Sequence, residues 1–76
     1  MMHMSVFIQP EVAEAIIDLI DEMSTEIDLF YEDDQLAGAS PAFMKMDRMV
    51  TMLQSSGYQP PDTYLHIVTR YKKSVN

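Results

Sequence analysis

The residues with the greatest chemical potential are carboxylates. Glu11, Glu14, Asp18, Asp21, Glu22, Glu26, Asp28, Glu32, Asp33 and Asp34 follow one another without an intervening Lys or Arg. Side chains of this kind can hold a metal ion, move protons, or simply present charge. A metal site needs a donor pattern, and the chain has no Asp-x-Asp-x-Asp-Gly calcium loop, no Glu-x-x-His pair and no His-Glu-x-x-His. Glu32-Asp33-Asp34 therefore reads as a solvated helix end, and neither a metal nor another cofactor is expected. Acid–base catalysis needs a carboxylate or histidine tuned by a pocket. His66, between Leu65 and Ile67, is the interior candidate and reads as a half-buried structural residue. There is no cysteine and no Gly-x-Ser-x-Gly turn; Ser40, Ser55 and Ser56 look like cap and turn residues, and Gly38 and Gly57 stand alone rather than in a phosphate-binding loop. The expectation is a protein that is not an enzyme.

Charge is then the feature left to do work. Twelve acids against five bases give a net charge of −7, and the imbalance is uneven, because the bases Lys45, Arg48, Arg70, Lys72 and Lys73 all fall in the second half. Such asymmetry steers encounters with basic surfaces and repels nucleic acid from the acidic face. Asp18 and Glu22 are like charges one helical turn apart, a spacing that costs a few tenths of a kcal/mol per pair and that a cationic partner would relieve. The expected partner-binding set is Glu14, Asp18, Asp21, Glu22, Glu26, Glu32, Asp33 and Asp34, with Met44 and Met52 for close contact, since methionine suits adaptable binding surfaces. Phe43 or Tyr58 would add aromatic contact.

The leading functional expectation is a small acidic adaptor or inhibitor that occupies a basic surface of a partner protein, including a surface that otherwise binds nucleic acid. In size and charge alone the chain is similar to small phage- or plasmid-encoded inhibitors, DNA-mimic anti-restriction and anti-CRISPR proteins among them; no motif carries that likeness, so it assigns no residue a role. The alternative is a dimeric transcriptional regulator that reads DNA through Arg70, Lys72 and Lys73. Against direct nucleic-acid binding stand the acidic balance and a connector from Ser56 to Pro61 that is longer than the usual turn of about 3–4 residues in a helix-turn-helix. A structural subunit of a larger assembly is the third class.

These residues need elements to hold them. Pro10 followed by Glu11 and Glu14 marks a helix start, because proline suits the first helical position and carboxylates suit the positive end of the helix dipole. Ala13, Ile16, Ile17, Ile20, Met23, Ile27, Phe30 and Tyr31 recur at spacings of three and four, which defines a core stripe opposite the acids. Gly38, Ser40 and Pro41 mark a loop, with Ser40 as N-cap and Pro41 opening a second helix. Its stripe is Phe43, Met46, Met49, Val50 and Leu53, widened by Met44 and Met52, and Gly57 is its stop. Beyond Tyr58-Gln59-Pro60-Pro61, residues 62–73 fit either a strand, from their β-branched and aromatic content, or a helix with the stripe Tyr64, Ile67, Val68, Tyr71 and Val75. Lys72 and Lys73 near the end favour helix.

The fold class expected is all-α, one small domain over residues 1–76 with helices over about 10–32, 41–56 and 61–73 and an extended arm or short strand over 1–9. The alternative is α+β, with Ser5 to Ile8 pairing with Thr63 to Tyr71; His3 is given no chemistry. A core in a chain of 76 residues rarely supplies more than about 3–5 kcal/mol, and without cysteine there is no disulfide to reinforce it. A homodimer that buries the surplus apolar surface is therefore expected. The apolar runs are far too short to span a bilayer, so no membrane association and a cytoplasmic location are expected.

Overall fold

The computed structural model describes residues 7–75 and is all-α, with no strand among them. Helix α1 runs Pro10–Phe30, a 3-10 helix follows over Asp33–Ala39, and α2 and α3 occupy Ser40–Ser55 and Asp62–Ser74. The strand alternative for residues 63–71 is replaced by helix, so the proposed pairing with Ser5 to Ile8 does not form; Ser5 and Val6, like His3, lie outside the described residues. Phe7 and Ile8 belong to no regular element. Ile8 is nonetheless buried, and its carbonyl accepts a hydrogen bond from the Tyr58 hydroxyl at 3.4 Å.

Each boundary has a local cause. Pro10 opens α1 behind an extended Gln9, as its fixed φ allows. The helix stops at Phe30, two residues before the expected end, where Tyr31 turns extended while its N–H still reaches the Ile27 carbonyl at 3.0 Å. That early stop relocates the acidic triplet. Instead of crowding the negative end of α1, Glu32 sits at the N-cap of the 3-10 helix with Asp33 and Asp34 in its first turn, where anions are stabilising. The Glu32 N–H donates to Gln35 Oε1 at 2.7 Å. The expected loop before α2 is this 3-10 helix, and α2 continues from it directly. Ser40 is consequently a helical residue (φ −49, ψ −43) that caps the end of the 3-10 helix and is not the N-cap of α2; Ala39 holds that position. Gly57 ends α2 with a positive φ of 88. The Tyr58 N–H bonds the Leu53 carbonyl at 2.9 Å and the Gly57 N–H bonds that of Gln54 at 3.0 Å, the paired bonds of a glycine-terminated helix. In α3, Asp62 occupies the first turn and Lys72 and Lys73 the last, each matched to the dipole.

The core is drawn from every element. Ile20, Leu36, Met46, Leu53 and Ile67 are fully enclosed, with Ala13, Ile27, Phe43, Val50 and Tyr64 around them. Leu36 comes from the 3-10 segment. Among the described residues Ser24 is the one buried polar residue of the core, and its hydroxyl donates to the Met46 sulfur at 3.6 Å. Phe43 stacks on Tyr71 with ring centroids 4.1 Å apart and is a core residue. Two members of the expected α1 stripe leave it: Phe30 is 75% exposed and Tyr31 39%. Val75, placed on the α3 stripe, is 49% exposed beyond the end of that helix.

Candidate functional site

Helix α1 presents three surfaces besides its core stripe, and the expected site residues divide among them. Glu14, Asp18 and Glu22 follow one another at four-residue spacing on the outer side, all exposed, which aligns them along the helix. Leu29, 71% exposed, continues the same side seven residues beyond Glu22, two turns further on. Asp21 lies instead on the edge toward α3, where Thr63 donates its hydroxyl hydrogen bond to the Asp21 carboxylate. Glu26 lies on the edge toward α2, beside Met23, Phe30, Tyr31 and Ala42. The acids expected to form one face are therefore spread around the helix.

Besides Thr63, one side chain of α3 makes most of the polar bonds along this edge. Arg70 donates from Nε to Asp33 Oδ1 at 2.8 Å and from Nη1 to Asp28 Oδ1 at 3.0 Å. It also reaches the carbonyls of Asp28 at 3.1 Å, from Nη1, and of Tyr31 at 2.6 Å, from Nη2. Helix α1 has no base in its own last turn, so Arg70 supplies from α3 the positive charge and the donors that a helix C-terminus requires. The Asp33 hydrogen bond is the first cause holding the guanidinium above its ordinary pKa, with Asp28 adding to it against the opposing effect of burial. His66 Nε2 stands 3.4 Å from Asp28 Oδ1. It is exposed rather than half-buried, at the mouth of a recess of about 320 Å³ that it shares with Ser24, Thr25, Asp28, Leu29 and Asp62.

The α2 edge is open and apolar. A groove of about 440 Å³ runs between the helices, lined by Leu19 and Met23 of α1 and by Lys45, Arg48, Met49 and Met52 of α2. Its residues follow a pattern. On α1, Val12, Ile16, Leu19, Met23, Glu26 and Phe30 are separated by alternating steps of four and three; on α2, Ala42, Lys45, Met49 and Met52 are separated by three, four and three. Each row lies one residue before the row that faces the core, Ala13, Ile17, Ile20, Ser24 and Ile27 on α1 and Phe43, Met46, Val50 and Leu53 on α2. Alternating three-four spacing is the signature of helices packed side by side. Both helices thus carry a second packing row, and Val12, Leu19, Phe30 and Met52 in it are exposed. Among the described residues the ion pairs are those of Arg70 and His66, so Lys45, Arg48 and Glu26 have no opposite charge within pairing distance.

Met44 and Met52, expected together, line different recesses. Met52 belongs to the α1–α2 groove, whereas Met44 borders a recess of about 250 Å³ on the α3 side with Asp47, Tyr64, Tyr71 and Lys72. There Tyr64 is held above its ordinary value of 10.0, by burial first and then by the charge and hydrogen bond of Asp47. Tyr58 is half-buried and tied to Ile8. Sequence reasoning missed Leu19 and Leu29, of which the first was legible in the second three-four row. Pairing of the C-terminal bases with the acidic first helix was its alternative to DNA binding, but the sequence could not say that Arg70 would reach Asp28 and Asp33, which lie 37 to 42 residues away. No group of three or more His, Asp or Glu side chains among the described residues is placed to hold a metal ion, and none of the helices described is long and apolar enough to cross a membrane. Neither a family model, nor a curated protein, nor a solved structure matches this chain.

Proposed function

We propose that the protein is a non-catalytic binding protein, an adaptor or inhibitor that docks the outer face of α1 on a basic surface of a partner protein. The observation that carries this reading is the unneutralised row Glu14, Asp18 and Glu22. All three are exposed, and no base of the chain pairs with them among the described residues. The bases are committed or placed elsewhere: Arg70 to Asp28 and Asp33, Lys45 and Arg48 to the α2 edge, Lys72 and Lys73 to the end of α3. Leu29, exposed on the same side, supplies an apolar anchor beside the charge, the combination that gives an interface both fast encounter and a desolvated centre. Direct DNA binding has less support, since Arg70 is engaged within the chain and only Lys72 and Lys73 remain of its three bases.

The test is affinity capture from nuclease-treated host lysate with the wild type and with a Glu14→Gln, Asp18→Asn, Glu22→Gln variant. A stoichiometric protein partner that is lost at high salt and lost with the variant is the expected result, with helicity unchanged by circular dichroism. Equal retention by the folded variant would remove the outer face from the function.

A further inference from the structure

The apolar groove between α1 and α2 is a separate surface from the acidic outer face, and its chemistry selects a different occupant. We propose that a second copy of this chain covers it, the second packing rows of α1 and α2 from two copies closing into a four-helix arrangement related by a two-fold axis.

Shape argues that the face is built to be covered. The Cα atoms extend 42 × 28 × 16 Å with a radius of gyration of 13.5 Å, against about 11 Å for a compact domain of this length. A single helix is only about 5 Å across at its Cα atoms and packed helix axes lie about 8–10 Å apart, so the shortest dimension is about two packed helices. Two layers cover the second rows only in part: Ile16, Met23, Ala42 and Met49 pack against the core from half-buried positions. Leu19 and Met52 accordingly stay 47% and 45% exposed, and Phe30 75%, in positions whose spacing is that of a helix–helix seam.

Charge identifies the occupant. The α1 row contains one ionisable residue, Glu26; the α2 row contains one, Lys45, with Arg48 beside it. A strongly basic partner would meet Lys45 and Arg48, and a strongly acidic one would meet Glu26 and the nearby Glu22. A two-fold interface has another solution, because residue i then meets residue j twice: Glu26 of each copy lies against Lys45 of the other. The face is locally near neutral although the chain carries −7, so two copies can approach there without setting their acidic outer faces against each other. The same geometry leaves Glu14, Asp18 and Glu22 of both copies exposed.

The experiment is sedimentation equilibrium on the full chain across a concentration series, independent of any other partner. The wild type should be a dimer that dissociates reversibly. Leu19→Gln and Met52→Gln, both at exposed positions, should each weaken it at least about tenfold, since a seam residue in a dimer core is worth more than about 1.4 kcal/mol. Met44→Gln, on the other side of α2, should leave it unchanged. Glu26→Lys and Lys45→Glu should each weaken self-association, while an equimolar mixture of the two variants, or both substitutions in one chain, should restore it. Circular dichroism checks that every variant keeps its helicity. A wild type that stays monomeric at the highest concentration, a dimer indifferent to Leu19→Gln and Met52→Gln, or charge swaps that fail to rescue one another would each overturn the proposal.

Discussion

The two long edges of α1 face neighbouring helices in different ways. Toward α3 the contact is more extensive and sealed by polar bonds: Thr63 to Asp21, and Arg70 to Asp28, Asp33 and two carbonyls. Toward α2 the helices share core residues at depth, but the rim of Leu19, Met23, Met49 and Met52 stays open and its charges stay unpaired. The edge with the more strongly charged residues is the closed one, because the chain supplies the countercharge itself. The apolar, near-neutral edge is the one the chain leaves open. Acidic content by itself therefore does not say which carboxylates stay free in this protein; what decides it is whether a base from the same chain has already arrived.

Substitutions can separate the edges. The largest effect belongs to the layer beneath both. Met46 is fully enclosed and contacts Ser24, so Met46→Ala should cost about 2–5 kcal/mol in chemical denaturation. Met44→Ala, at a side chain 66% exposed, should stay within about 0.5 kcal/mol. Next comes the polar edge alone. Arg70→Met removes the donors to two carboxylates and two carbonyls and should lower the melting temperature, whereas Lys45→Met, which breaks no ion pair within the chain, should not when measured at concentrations too low for self-association; equal effects would erase the distinction between the edges. The smallest effect lies at Tyr64, away from both. Its proton is held more tightly in the folded protein than its ordinary value of 10.0, so the unfolded chain releases it first as pH rises. The stabilisation is complete below about pH 10 and is lost as pH climbs through the native value. Tyr64→Phe should flatten that alkaline decline in melting temperature.

Helices α1 and α2 were legible because their signals are local, whereas the β-branched and aromatic residues of α3 fitted a strand as well. Pro10, Pro41 and Gly57 punctuate the chain, and three-four spacing places Ile20, Ile27, Met46 and Leu53 inside. The 3-10 segment was not, since Leu36 and Ala39 alone are too few to show a period. The α1 stripe merged two rows into one, because on a helix of 3.6 residues per turn adjacent rows adjoin, and hydrophobicity does not say which of them has a neighbour. Phe30 was assigned to the core on that account. Ser24 escaped for the opposite reason, a polar residue in a core position. For the candidate site, the acidic row could be listed from the sequence but not divided into Asp21 and Asp33, which the chain binds itself, and Glu14, Asp18 and Glu22, which it does not. That division depends on where α3 lands.

The placement of the methionines gives the molecule an internal gauge of oxidant access. Met44 and Met52 are open to solvent, Met23 and Met49 are half-shielded and Met46 is sealed, so peroxide reaches their thioethers in that order. Sulfoxide formation at Met46 requires the whole core to open, whereas at Met49 or Met52 it would convert an apolar groove into a polar one without disturbing the fold. The difference between Met52 and Met44 reports whether the groove is covered, because the two sit on one helix at different recesses and only one of them would be hidden.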